Sequence, residues 1–410
     1  MELIQGRQKT SKFEPEDVLS NIPDIAITNI LDRLSLQDAV RTCVLSRNWR
    51  FKWTMLSELV FDDTFFEYLQ KRELKNSLVI SRILLHLRGV ITKFVLSIEN
   101  KFAYDVLDDE DIHHCILFLS TKGIKDLTLK FRDDTPVKLP THLFSCLELE
   151  HLNLHNCHFQ SHPPPNFHGF PNLLSFELRV RFQENSELVK LFTWCPLLEI
   201  LKLDNFNSHG KVKLVEIAKL KNLKLLSLTS CDFADANIKS SSTIFELLGS
   251  LPKLQEFDLC FLLFMLTEDV AQKRFSTAFH SLKTLDLSLV YLDLGTVSCV
   301  LELIMSFPNL QTLKITTIGD RRDRHANPSL EARYNTLGPF QLRRMVVKSL
   351  NASERQVFLI KCLLACSPFL QRIAICPGST LSSKEKRMFA KKLLKLPRAS
   401  TAAKIDFFGI

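Results

Sequence analysis

The sequence predicts an α/β fold in which a solenoid of parallel strands follows a small helical module. Three observations support this prediction. The chain has 410 residues, which is too long for one ordinary hydrophobic core and long enough for an elongated repeat domain. A short apolar motif recurs along most of its length, and residues 17–61 follow a helical period instead. With 46% hydrophobic and 24% charged residues, the composition is typical of a folded chain.

The repeated motif has the form LxxLxL, in which L is any apolar residue and x is variable. Its eleven copies begin at Ile91, Ile124, Leu149, Leu173, Leu198, Leu223, Leu254, Leu282, Leu310, Leu342 and Leu370, at spacings of 24 to 33 residues. This periodicity is the leucine-rich-repeat signature. Each copy contains a short strand with alternating side chains, and one repeat cannot bury its leucines alone. We therefore expect about 11 stacked repeats, with parallel strands on the concave face of the solenoid.

The segment 17–61 has the pattern of three short helices. One face of the first helix holds apolar residues at positions i, i+3, i+4 and i+7, namely Ile27, Ile30, Leu31 and Leu34. Ser35 and Asp38 have the spacing of a capping box that opens a second helix. Ser46 offers a cap for a third helix.

Three helices in about 45 residues form too small a core to be robust alone. The third helix carries Trp49 and Trp53, one turn apart. Tryptophans and neighbouring aliphatic residues are typical anchors of a protein–protein interface. Packing of the same side chains against the first repeat explains them equally well, so the residue pattern leaves both interpretations open.

This N-terminal segment resembles the F-box of plant F-box proteins that carry leucine-rich repeats. The strings "IPD", "ILDRLSLQDAVRTCVLSRNWRFKW" and "LVFDD" match the family pattern over about 45 residues without a gap. The sequence departs from the pattern at Ser35, where proline is usual, and at Ile22, where leucine is usual. The resemblance implies docking on the Skp-type linker subunit of a cullin-RING (SCF) ubiquitin ligase.

Carried over by position, the linker-subunit contacts are Pro23, Ile27, Ile30, Leu31, Leu34, Leu36, Ala39, Val40, Val44, Leu45 and Trp49. Some of these residues must instead form the core of the small module. The sequence does not separate the two sets.

The C-terminal region resembles the FBD domain that ends the same plant proteins, through the strings "LLACSPFLQRIAI" and "LLKLPRAS". The pattern predicts a helix over Gln356–Cys366 and an amphipathic helix over Ser383–Leu396. Because terminal repeats need a cap, we expect this region to cover the end of the core. The predicted domains are a tail at 1–14, the F-box at 15–61, a helical linker at 62–88, the solenoid at 89–339, and an FBD-like C-terminal repeat and cap at 340–410.

The outward positions of the predicted strands form the expected recognition face for a protein target. They are Lys130, His151, Asn153, His155, Glu177, Arg179, Lys202, Asp204, Glu256, Asp258, Asp286 and Lys314. This face mixes charges and has few aromatic side chains, so we expect a protein target and no cofactor.

The sequence gives little support to other classes of function. It contains no P-loop, dinucleotide loop, GxSxG or HExxH motif, so we expect a non-catalytic subunit. The histidines between 151 and 168, together with Cys157, suggest zinc, but strand alternation keeps them from converging at about 2.0–2.3 Å. We therefore expect no metal site, and a hydrolase built on these histidines is the weakest alternative.

A net charge of +8 on 47.2 kDa is mild and gives no reason to expect nucleic acid. The most apolar run, Phe257 to Leu266, has ten residues, against about 20 for a membrane span, so we expect no membrane association. The chain holds 11 cysteines, no CxxC pair and no apolar signal segment, which favours the cytoplasm or nucleus. The main alternative to a ligase adaptor is a ligase-independent interaction scaffold with a vestigial F-box.

Overall fold

A computed structural model describes most of the chain and shows one long parallel sheet flanked by helices. The described residues are 22–47, 49–98, 107–132, 136–159, 163–179, 194–204, 214–229, 242–260, 279–292, 294–319 and 338–408. The predicted N-terminal tail at 1–14 lies outside them.

The N-terminal module begins with two α-helices, α1 at Asp24–Leu31 and α2 at Leu36–Arg41. Ser35 caps α2 as predicted, since its hydroxyl accepts a bond from the Asp38 amide at 3.2 Å and donates to the Asp38 carboxylate at 2.8 Å. A 3-10 turn at Thr42–Val44 follows.

The third predicted helix exists as a 3-10 helix, Trp49–Met55, rather than as an α-helix. The Ser46 hydroxyl accepts from the Trp49 amide at 3.4 Å, as the capping prediction required. The Leu56 amide then bonds to the Trp53 carbonyl three residues earlier, which is the 3-10 pattern.

The strands are short and regularly placed. They are β1 Glu58–Phe61, β2 Lys93–Ile98, β3 Asp126–Phe131, β4 Val137–Leu139, β5 His151–His155, β6 Cys157–Phe159, β7 Ser175–Arg179, β8 Ile200–Asp204, β9 Leu225–Thr229, β10 Glu256–Cys260, β11 Thr284–Tyr291, β12 Thr312–Gly319, β13 Arg344–Leu350, β14 Arg372–Pro377 and β15 Lys404–Phe407. Thirteen of them form one sheet in the order of the chain, with every neighbouring pair parallel. The other two, β4 and β6, pair with each other.

This strand order confirms the predicted solenoid, because stacked repeats place each strand beside its predecessor. All three apolar positions of every predicted motif are at most 2% exposed. In β5, for example, Leu152 and Leu154 face the core, whereas His151 is exposed and Asn153 and His155 are half-buried. Their equivalents in neighbouring strands stack in register, such as Leu127, Leu152 and Phe176. The result is one continuous apolar core.

Two strands extend the sheet beyond the eleven predicted motifs. Strand β1 lies at one edge, within the segment that resembles the F-box, and β15 lies at the other edge. The string "LSELVF" at Leu56 fits the repeat motif, and Leu56, Leu59 and Phe61 are at most 2% exposed. This copy is not among the eleven predicted ones, because the helical module at 17–61 includes these residues.

Helices occupy several of the connections between strands. They are α3 Asp63–Gln70, α4 Asn76–His86, α5 Asp109–Ser120, α6 Leu214–Ile217, α7 Ser242–Ser250, α8 Leu294–Met305, α9 Glu354–Ala365 and α10 Ser383–Leu394. The two predicted C-terminal helices correspond to α9 and α10. A capping box of Ser382 and Glu385 opens α10, which buries Phe389 and Leu393.

Candidate functional site

The helical module carries an unusual density of exposed apolar side chains. Seven of the 22 large apolar side chains that are exposed among the described residues lie between residues 22 and 55, which is about a ninth of the described length. We call these seven residues the exposed F-box set: Ile25, Ile30, Leu34, Val44, Leu45, Phe51 and Met55. Val44 is the most open at 82% and Ile25 follows at 79%.

Burial divides the residues that the F-box resemblance assigns to the linker subunit. Five of them are in the core, with at most 8% exposure: Ile27, Leu31, Leu36, Ala39 and Trp49. Another five are exposed: Pro23, Ile30, Leu34, Val44 and Leu45. Val40 is half-buried. Only the exposed residues offer side chains to a partner without rearrangement of the module.

Three members of the exposed F-box set were not singled out from the sequence: Ile25, Phe51 and Met55. Helical periodicity marks an apolar face but does not say whether the protein itself or a partner covers it. For Phe51 a signal existed, because it lies between Trp49 and Trp53 and so points away from a face that the tryptophans share.

A carboxylate joins the helical module to the start of the sheet. Asp32, at the end of α1, accepts the Ser57 amide at 3.2 Å on one oxygen and the Ser57 hydroxyl at 2.7 Å on the other. The Ser57 carbonyl in turn accepts the amides of Thr92 at 2.9 Å and Lys93 at 3.2 Å, at the start of β2. Hydrogen bonds therefore run from α1 through Ser57 to the second strand of the sheet.

The second candidate surface is the open face, which we define as the alternate strand positions of the main sheet that point away from the core. The predicted target-binding residues all occupy such positions. Lys130, His155, Arg179 and Asp204 stand in one row across neighbouring strands. Asn153, Glu177 and Lys202 form part of a second row, which also contains Asp258, Asp286 and Lys314. His151 and Glu256 point to the same face and lie two residues before Asn153 and Asp258 in their strands.

Ion pairs organise the middle of the open face. Glu177 accepts a bond from the Lys202 ammonium at 2.6 Å and another from the Asn153 amide nitrogen at 3.1 Å. Arg179 and Asp204 approach to 3.5 Å on the same two strands as Glu177 and Lys202. Such partly exposed pairs contribute little stability each, about 0–1 kcal/mol, but they fix the positions of the charges.

Asp258 is an acid of the open face whose pKa the fold raises. Burial raises its pKa, and the carboxylate of Asp286 on the adjacent strand raises it further. Lys314 and a hydrogen bond with Ser227 act in the opposite direction. The ionised form of Asp258 therefore lowers the free energy of unfolding.

The described members of the histidine cluster near residue 155 do not gather into a site. His151 is exposed, His155 is half-buried, and His162 lies outside the described residues. Cys157 is fully buried, and burial raises the pKa of its thiol. In the described ranges, no three His, Cys, Asp or Glu side chains gather as a metal ion requires. Within the same ranges, no helix combines the length and apolar character needed to traverse a membrane.

Comparison with known proteins finds matches for the helical module and for part of the solenoid. A model of the F-box domain matches residues 19–61, and a model described as "FBD-associated F-box protein At5g56370, LRR repeats" matches residues 112–253. The F-box/FBD/LRR-repeat protein At1g13570 of Arabidopsis thaliana is 31% identical over 422 aligned residues, which cover 96% of this chain and 99% of that protein. The chain belongs to the F-box/FBD/LRR-repeat family. F-box/LRR-repeat protein 13 of the same plant is 24% identical, with 95% of this chain and 96% of that protein covered.

Membership of the F-box/FBD/LRR-repeat family indicates an F-box protein of the SCF ubiquitin-ligase type, whose role is that of an adaptor. F-box domains generally bind Skp1-type subunits, and leucine-rich repeats are protein-binding surfaces. The exposed F-box set lies within residues 19–61, the segment that the F-box model matches.

Proposed function

We propose that this protein is the substrate-recognition adaptor of an SCF ubiquitin ligase. The exposed F-box set docks on the Skp-type linker subunit, and the open face holds a protein target. The observation that carries the proposal is the concentration of seven exposed apolar side chains in the helical module. Exposed apolar groups gathered in one small region mark a protein interface.

The adaptor positions the target beside the conjugating enzyme and takes no part in making or breaking bonds. The ligase brings a conjugating enzyme that carries ubiquitin as a thioester, and a lysine of the bound target attacks that thioester. Holding the two reactants together replaces a bimolecular encounter, and proximity of this kind can supply several kcal/mol of rate enhancement, up to about 7–11 kcal/mol for well-oriented groups. The residues of this chain act by binding both partners at once.

Retention of a purified Skp-type linker subunit on the immobilised full chain tests the docking half of the proposal. The wild type should retain the subunit. Replacing two exposed residues, Val44→Asp and Leu45→Asp, should abolish retention, because carboxylates would enter an apolar contact. The stability of the free chain should change little, because both side chains are open to solvent.

Val215→Asp is the matched control, since Val215 is 64% exposed and lies in α6, far along the chain from the F-box. This variant should retain the linker subunit as the wild type does. Failure of the folded wild type to retain the subunit would refute the adaptor function and leave the ligase-independent scaffold. Equal loss in the Val215 variant would mean that retention does not depend on the exposed F-box set.

A further inference from the structure

Along the solenoid, the charged residues that oppose each other on the open face change from unlike to mostly like charges. In strands β1 to β9, residues that stand directly opposite each other carry unlike charges. Glu58 faces Lys93, and Glu177 faces Lys202. Across these strands the open face holds four anions and four cations, so its net charge is zero: Glu58, Asp126, Glu177, Asp204, Lys93, Lys130, Arg179 and Lys202.

From β10 onward, three of the four directly opposed charged pairs carry like charges, and the exception is Asp286 with Lys314. Asp258 faces Asp286 across β10 and β11, and these two residues with Glu256 give the pair of strands a net charge of −3. We call Glu256, Asp258 and Asp286 the acidic block. Opposed like charges on neighbouring strands destabilise a sheet. The raised pKa of Asp258 is consistent with this repulsion, since Asp286 contributes to it.

The last four strands carry the opposite excess. Arg344 faces Arg372, which faces Lys404, so three cations stand in one row on strands about 4.8 Å apart. With Lys314 and Lys348 there are five cations against one anion, Asp406, a net charge of +4. We call Lys314, Arg344, Lys348, Arg372 and Lys404 the basic block.

Internal pairing neutralises only part of the two blocks. Lys314 meets Asp286 at 3.6 Å, where the blocks adjoin, and Arg372 bonds to Asp406. In the part of the chain that the structure describes, Arg344, Lys348 and Lys404 belong to no ion pair, and all three are exposed. The sheet therefore presents an acidic and a basic block side by side, each with charge left for a partner.

We propose that strands β10 to β15 of the open face bind a protein segment in which a run of basic residues adjoins a run of acidic residues. The basic run lies on the acidic block and the acidic run on the basic block. This inference rests on the proposed function, because it names the class of target that the open face recognises. Five strand spacings of about 4.8 Å span about 24 Å, which an extended segment of about seven or eight residues covers.

The two blocks together exclude a uniform polyanion as the occupant. A nucleic acid long enough to cover the basic block would carry its next phosphates onto Glu256 and Asp258, where repulsion opposes it. Like-charge contacts of this kind discriminate against the wrong partner, while the complementary contacts attract the right one.

Fluorescence anisotropy with synthetic peptides tests the inference on the full chain. The probe is the peptide KRKGSEDE, labelled with an uncharged dye, and the comparison peptide is KERDKEGS, which has the same composition with its charges interleaved. The segregated peptide should bind at least about tenfold more tightly at low ionic strength. Its binding should be lost near 1 M salt, where the screening length is about 3 Å.

Charge reversal assigns the binding to the basic block. The double variant Arg344→Glu, Lys404→Glu should bind KRKGSEDE at least about tenfold more weakly than the wild type, and it should bind the all-basic peptide KRKGSKRK at least about tenfold more tightly. Lys71→Glu, at an exposed lysine that follows α3 and lies off the open face, is the matched control and should change binding by less than about twofold. If the double variant does not fold, Lys404→Glu alone on edge strand β15 replaces it, with the same direction of change expected.

Several results would overturn the inference. These are equal affinity for the segregated and interleaved peptides, equal loss in the Lys71 control, or tighter binding of the acidic peptide EEEGSEDE or of single-stranded oligothymidine than of KRKGSEDE. The linker-subunit assay is run on the same proteins. Peptide binding without linker retention would refute the adaptor function alone, and linker retention without peptide binding would refute this inference alone.

Discussion

The bond between Asp32 and Ser57 should be the main polar link between the F-box helices and the sheet. Asp32→Ala removes an acceptor from both the Ser57 amide and the Ser57 hydroxyl. Hydrogen bonds to a charged group contribute about 1.5–3 kcal/mol when buried, and Asp32 and Ser57 are only half-buried. Taking about 1 kcal/mol for each bond, we expect Asp32→Ala to lower the free energy of unfolding by about 2 kcal/mol.

A double-mutant cycle with Asp32→Ala and Ser57→Ala isolates the contact between the two side chains. Urea unfolding, followed by circular dichroism, supplies the four free energies. Because only the hydroxyl bond is shared by the two changes, we expect a coupling energy of about 1 kcal/mol. Asp24→Ala is the control, since Asp24 lies on the same helix in an exposed pair with Lys52 at 2.5 Å and should cost about 0–1 kcal/mol.

Additivity within about 0.3–0.5 kcal/mol would refute the reasoning, because it would show that the two side chains do not stabilise each other. Asp32→Ala should also leave retention of the linker subunit intact, since Asp32 is not in the exposed F-box set.

Three further changes test other parts of the structure. Leu154→Ala in the core of β5 should cost about 2–5 kcal/mol in urea unfolding, whereas Leu85→Ala, at an 82% exposed position, should cost less than about 0.5 kcal/mol; similar costs would contradict the burial. Because the pKa of Asp258 is raised in the fold, its charge costs stability above the folded pKa and the cost vanishes at low pH. Asp258→Asn should therefore be more stable than the wild type at pH 7, and the difference should shrink as pH falls toward the ordinary Asp range; a difference independent of pH would show that charge is not the cause. Ser382→Ala removes the side-chain cap of α10 and should lower the free energy of unfolding by about 1 kcal/mol, and an unchanged midpoint would show that the cap contributes nothing.

The repetition of LxxLxL made most of the sheet predictable. Each motif fixes three buried side chains, and stacking then fixes the strand order, so eleven strands follow from spacing alone. Strand β15 was not predictable in this way, because "AAKIDF" places alanine at Ala402, where the repeat has a large apolar residue. The 3-10 geometry of Trp49–Met55 was not predictable either, because the apolar pattern specifies only which residues share a face and not the type of helix.

The candidate surfaces were predictable as sets of residues but not in their detail. Ile27, Ile30, Leu31 and Leu34 share one helical stripe, yet Leu31 is fully buried and Leu34 is 40% exposed. That difference depends on where neighbouring helices and β1 end, which is tertiary information. Likewise, the charges on β10 to β15 are visible in the sequence, but the opposition of Asp258 to Asp286 and of Arg344 to Arg372 requires the register between strands.

Strand β1 lies within the segment that matches the F-box, residues 19–61, and it is also the first strand of the sheet. Under the proposed function, the ligase-facing and target-facing parts are joined by shared backbone hydrogen bonds rather than by a tether. A tether would let a bound target sample many distances, with a local concentration set by its length. A continuous sheet instead fixes which region of the target reaches the ubiquitin donor, so the choice of modified lysine depends on how the target lies on the solenoid. An exchange of F-boxes between relatives must accordingly carry β1, because a cut after Met55 would leave the edge of β2 unpaired.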